Sequence, residues 1–142
     1  MLAAALLAGC TRPPAPTPAG SAAVDLCADR LHDLCGALLE YGVLHQDLPE
    51  RLQDLPNVGP GTALPLVCPK TGRAYVYNPV GLAVAGREGR LIIYDAVPAH
   101  DGKRQGILLE PPQLGKPVIP CVVRLSEAAI LWQRPATQPG RE

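Results

Sequence analysis

The 142-residue chain has no phenylalanine, one tryptophan and one methionine. Its core must therefore come from aliphatic side chains and a few tyrosines. Charge is also scarce: 18% of the residues are charged, and the thirteen basic residues balance thirteen acidic ones. Without an excess of Lys and Arg, a broad nucleic-acid footprint is not expected. No stretch reaches the roughly 18 consecutive apolar residues that a membrane-spanning helix needs. No glycine-rich phosphate loop follows a strand-like run, and no serine sits in a nucleophile elbow. What the chain has in quantity is proline and glycine, seventeen and fourteen residues, more than a fifth of the total. That proportion argues against a helical bundle and for strands joined by turns. The length suits a single domain with one modest core. Five cysteines is an odd number, and the odd one requires a separate role.

The amino terminus supplies that role. Met1 to Ala8 is entirely apolar, and the run closes with Leu7-Ala8-Gly9-Cys10. An aliphatic residue, two small residues and a cysteine resemble a bacterial lipoprotein signal, although the basic residues that usually precede the apolar run are missing. The resemblance implies removal of residues 1–9 and transfer of a diacylglycerol to the Cys10 sulfur, with the new amino group available for a further acyl chain. Each buried methylene contributes about 0.8 kcal/mol, so two or more chains hold a protein on a bilayer. The following segment, Thr11 to Ser21, has four prolines in eleven residues. It cannot build a core. It reads as an extended tether that, at about 3.1 Å per residue, holds the domain some 30 Å from the lipid head groups. The expected organisation is a signal-like segment over 1–9, lipidated Cys10 and its tether over 10–21, a folded domain over 22–133 and a polar tail over 134–142.

Within the domain, Val24, Cys27, Leu31, Leu34, Cys35, Leu38 and Tyr41 recur at intervals of three and four, the helical period. Asp25, Asp29, Arg30, Asp33 and Glu40 fall on the opposite face. A helix over 24–41 is predicted, with Ser21 as its cap and Gly42 as its stop. A short helical turn is predicted between Pro49 and Pro56, then loop from Asn57 to Pro65. Runs rich in Tyr, Val, Ile and Leu predict strands at Arg73–Asn78, Arg90–Asp95, Gln105–Glu110 and Cys121–Leu125. In the first, Tyr75 and Tyr77 share a face. Asp101-Gly102 suits a reversal between strands, and Ser126 could cap a closing helical turn through Trp132. The predicted class is α+β, one long amphipathic helix packed on a small antiparallel sheet.

That order, together with Ala37-Leu38, Tyr41, Leu48-Pro49, Leu52 and Leu55, resembles the soluble part of type IV pilin-like proteins, including type II secretion pseudopilins. His100, Gly102, Arg104 and Ile107-Leu108-Leu109 resemble the branch with the H-x9-DG signature. Glu110-Pro111-Pro112 stands where that branch has Asp-Gly-His, so the signature is degenerate. The likeness covers residues 24–131 and implies a pilin-like fold. A lipid signal and proline tether in place of the basic leader and apolar polymerising helix imply that the chain does not form a filament.

With Cys10 assigned to lipid, Cys27, Cys35, Cys68 and Cys121 remain. Cys27 and Cys35 are separated by about 12 Å along a helix, too far for a disulfide. Two connectivities stay open, 27–68 with 35–121 or 27–121 with 35–68, against the alternative of buried free thiols. Cys68-Pro69-Lys70-Thr71-Gly72 resembles half of a metal knuckle, but lacks the second close cysteine, so no metal and no cofactor is expected. His100-Asp101 reads as a solvated turn, and His32 and His45 as surface residues. The expected function is an envelope-anchored lipoprotein outside the cytoplasm, not an enzyme. Its expected contacts are the bilayer through Cys10 and an envelope or secretion-system protein. Two alternatives remain: a small thiol or metal-dependent enzyme using Cys68 and His100, and a pseudopilin whose assigned start is wrong.

Overall fold

The computed structural model describes residues 25–55, 65–111, 114 and 118–135. The lipoprotein-like segment, Cys10, the tether and the end of the tail lie outside the described residues, as does Ser21. The chain is α+β, with one α-helix and one five-stranded antiparallel sheet among the described residues.

Helix α1 spans Leu26–His45. Its apolar stripe of Cys27, Leu31, Leu34, Cys35 and Leu38 is buried, as the helical period requires. Asp25 is the cap: its Oδ1 accepts the backbone N–H groups of Cys27 and Ala28 at 3.2 and 3.1 Å. These are two of the donors that a helix start leaves unpaired. Gly42 does not stop the helix. Gln46 does, in the left-handed conformation at φ 55°, with its N–H on the Gly42 carbonyl. A glycine inside a helix costs only about 1 kcal/mol relative to alanine, so the turn continues through Val43 and Leu44.

A single 3-10 turn, η1, occupies Leu52–Asp54 and buries Leu52. Strands β1 (Val76–Val84), β2 (Arg90–Tyr94), β3 (Lys103–Leu109), β4 (Pro120–Ser126) and β5 (Ile130–Pro135) follow. Their spatial order is β4-β3-β2-β1-β5. Strand β1 runs beyond the predicted end at Asn78. Pro79 is accommodated because the register against β2 shifts between Tyr77 and Leu82, while Asn78 Oδ1 accepts the N–H groups of Val80 and Gly81. A proline inside a strand is tolerated at such an irregularity.

The predicted closing helix is replaced by a 3-10 turn, η2, over Glu127–Ala129, and then by β5. Ser126 makes no side-chain cap bond. Ile130, Leu131 and Trp132 are β-prone, and the exposed edge of β1 offers them backbone partners. Residues 134 and 135, assigned by sequence to the tail, are therefore in a strand.

The sheet buries both faces. On one, α1 lies over β3 and β4, and Leu31, Leu34 and Leu38 meet Ile92, Ile93, Ile107, Leu109 and Tyr75. On the other, Leu82, Val84, Leu91, Leu108, Val123, Leu125 and Ile130 form a second cluster. At about 25 cal/mol per Å² of apolar surface, aliphatic burial of this kind is the main stabilising term.

Candidate functional site

The β2–β3 hairpin builds one half of the site. Asp101 and Gly102 take left-handed φ values of 54° and 73°, which suit a two-residue hairpin turn. The turn is closed by His100 N–H to the Lys103 carbonyl and Lys103 N–H to the His100 carbonyl, both 3.0 Å. Asp101 and Gly102 face solvent, but His100 does not: it is 5% exposed, which corrects its reading as part of a solvated turn. The reason is Asp95, at the end of β2 and 1% exposed. His100 Nε2 lies 3.1 Å from Asp95 Oδ2, and the same oxygen accepts the Gln105 N–H at 2.8 Å. Gln105 continues the network to the helix cap by donating from Nε2 to Asp25 Oδ2 at 2.7 Å. Hydrogen bonding of this kind is what makes a buried carboxylate tolerable. Among the described residues, Asp95 Oδ1 and Gln105 Oε1 have no partner.

The first turn of α1 and the segment before β1 build the other half. The Cys68–Gly72 turn closes through Gly72 N–H to the Cys68 carbonyl, with Cys68 N–H on the Arg73 carbonyl. Arg30 of α1 donates to the Val67 carbonyl at 2.9 Å and ties this segment to the helix. Cys27 Sγ and Cys68 Sγ thereby meet at 3.5 Å, and Cys68 Sγ lies 3.9 Å from His100 Nε2. The three ligand atoms lie within 4.8 Å of one another, a spacing a metal ion could span. Burial pushes the Cys27 thiol up to about 11, and the Cys68 thiol adds to this, while the Lys70 backbone N–H pulls the other way. A depression of about 370 Å³, lined by Asp25, Cys27, Lys70, His100 and Arg124 among others, lies over the cluster.

Burial opposes ionisation of the Asp25 carboxyl as well. The bonds from Gln105 and Ala28, with the Arg124 guanidinium 3.2 Å away, outweigh it and hold the group below its ordinary 3.8.

The other two cysteines are placed differently. Cys35 belongs to the core under α1, where burial first and then Cys121 raise its thiol to about 12. Cys121 packs against the cluster on the far face of the sheet. The structure therefore brings Cys27 to Cys68 and sets Cys121 on the side of β4 away from the helix thiols. All four are free thiols in this structure. His32 and His45 are exposed, as their positions in the sequence predict.

The cluster joins residues that no short motif connects. Cys27 and Cys68 are 41 positions apart, and Cys68 and His100 are 32 apart. Asp95 and Gln105 escaped the sequence reading. Their one available signal was an acidic residue closing an apolar strand, followed by a turn that returns the chain to it.

A second surface feature is an apolar cleft of about 500 Å³ at the carboxyl end of α1, lined by Leu38, Leu39, Val43, Leu48, Leu109 and Val118 among others. On the opposite face of the sheet the Arg104 guanidinium stands 4.9 Å over the Trp132 ring and pairs with Glu127. No protein-family model, curated protein or solved structure matches the chain. Fold and site together define an α+β domain with a buried Cys-Cys-His cluster backed by a carboxylate.

Proposed function

We propose that the protein is a lipoprotein of the bacterial cell envelope. In this reading a pilin-like domain is held outside the cytoplasm by acylated Cys10 and its proline tether, and works by structure or by binding a protein partner rather than by catalysis. The structural observation that carries the reading is the order of elements. Among the described residues a long amphipathic helix comes first and lies along one face of the antiparallel sheet that follows. The cleft beside exposed Leu39 and Val43 supports a binding role. A structural role for the thiols is supported by the burial of Cys27, Cys35 and Cys68 and by the 3.1 Å approach of His100 Nε2 to Asp95.

Detergent-phase partitioning of the protein and of Cys10→Ala tests the anchor. The unmodified sequence should enter the detergent phase and the variant should remain in the aqueous phase; equal partitioning overturns the proposal. A second reading, a small thiol or metal-dependent enzyme, draws on the 3.9 Å approach of Cys68 to His100. It requires Cys68 to be alkylated rapidly in the native state near neutral pH, whereas a buried structural thiol is labelled only on unfolding.

A further inference from the structure

We infer that Cys27 and Cys68 form a redox pair that closes into one disulfide, pinning the first turn of α1 to the Cys68–Gly72 turn, while Cys35 and Cys121 remain thiols. The inference does not depend on the lipid anchor. It follows from where the fold puts the four sulfurs whose pairing the sequence left open. Cys27 and Cys68 stand 3.5 Å apart, at non-bonded contact. They are carried by different elements, so a small rotation of each side chain closes the remaining gap to a bond of about 2.05 Å. Cys35 faces the core under the helix and Cys121 the opposite face of the sheet. Joining either helix thiol to Cys121 would require β4 to turn its other side inward, and a slip of one residue there would reverse every side chain in the strand.

The same cluster suits a metal less well. Zinc holds thiolates at about 2.3 Å in a tetrahedral arrangement, which sets the sulfurs about 3.8 Å apart and needs a free lone pair on the imidazole nitrogen. The 3.5 Å between the sulfurs is near that spacing, so the imidazole nitrogen decides. The nitrogen facing Cys68 is also the one that lies 3.1 Å from the Asp95 carboxylate, a neighbour that favours an N–H rather than a free lone pair there. Ligation through that nitrogen would cost the buried carboxylate a partner.

The step needs an oxidant of the disulfide class, such as oxidised glutathione. Cys27 lines the surface depression and Cys68 lies behind it. The Cys27 thiolate attacks a sulfur of the donor, forming a mixed disulfide and releasing one donor thiolate. The Cys68 thiolate then attacks the Cys27 sulfur of the mixed disulfide, forming the intramolecular bond and releasing the second donor thiolate. The two cysteines lose two electrons to the donor, and their two protons pass through solvent to the released thiolates.

The test uses the full chain, reduced and then equilibrated with oxidised glutathione, quenched in acid and labelled with a maleimide under denaturing conditions. The expected product is lighter by two hydrogens before labelling. Peptide mapping should show Cys27 linked to Cys68, with Cys35 and Cys121 both labelled. Cys35→Ser should keep the link, and Cys27→Ser should leave Cys68 labelled or glutathionylated. Because the map is read on the unsubstituted protein, a variant that fails to fold does not decide the outcome. A link from Cys121 to either helix cysteine overturns the inference. So does full labelling of Cys27, Cys35, Cys68 and Cys121, with or without one equivalent of zinc that survives purification and is released by a thiol-modifying reagent.

Discussion

Replacing Asp95 should destabilise the protein more than any change at a surface charge. Its carboxylate is 1% exposed, and one oxygen accepts the Gln105 N–H at 2.8 Å and lies 3.1 Å from His100 Nε2. In Asp95→Ala the Gln105 N–H loses its acceptor and His100 Nε2 its polar neighbour, in a site that water does not readily enter. A buried group left unsatisfied costs about 1–3 kcal/mol, and two groups are affected here, so a loss of about 2–4 kcal/mol is expected. Domains of this size have about 5–15 kcal/mol in total. Asp95→Asn keeps the shape and one acceptor oxygen but replaces the acid group beside His100 with a neutral amide. Its cost should be smaller, about 1–3 kcal/mol. Urea unfolding of reduced protein, followed by far-ultraviolet circular dichroism, measures both. The midpoint should fall in the order unmodified, Asn, Ala, with an unchanged slope. If Asp95→Ala lies within about 0.5 kcal/mol of the unmodified protein, the hairpin network does not hold the site together and the account of why His100 is buried is wrong.

Two further outcomes follow from the helix cap and the sheet. Asp25→Ala removes the cap of α1 and the acceptor for Gln105 and Arg124, and should cost about 1–3 kcal/mol at neutral pH. Because the folded protein holds the Asp25 carboxyl below its ordinary 3.8, this contribution is present above that value and is lost as pH falls through the lower folded value. The gap between variant and unmodified protein should therefore narrow in acid; a gap that widens would contradict the assignment. Gly106→Ala places a Cβ against the Ile93 carbonyl oxygen of the neighbouring strand, and overpacking of this kind costs about 1–3 kcal/mol. A thermal midpoint unchanged from the unmodified protein would show that β2 and β3 can separate there without penalty.

The helix was the most legible element because its signal is local. Cys27, Leu31, Leu34, Cys35 and Leu38 mark one face whatever they pack against. Strands β2, β3 and β4 were visible for a similar reason, as short apolar runs bounded by turn residues. The later half of β1 and all of β5 were not. Pro79 and Gly81 suggest a loop when read alone, and Ser126-Glu127-Ala128-Ala129 suggests a helical turn. In the folded protein a register shift accommodates the proline, and the edge of β1 supplies hydrogen bonds to Ile130–Pro135. Such pairings join residues far apart in the chain, so no local window contains them.

The sequence by itself determined the α+β class, the helix face, the Asp101-Gly102 reversal and the short list of thiols and histidines that could carry chemistry. Those features depend on side-chain period and turn preference, which act over a few residues. Only the tertiary structure decided which of the four downstream thiols are neighbours. The hairpin turned His100 inward onto Asp95, the packing of α1 carried Cys27 to Cys68, and the alternation along β4 sent Cys121 to the far face. Proximity between distant residues comes from closing one core around all of them, and composition and spacing do not encode it.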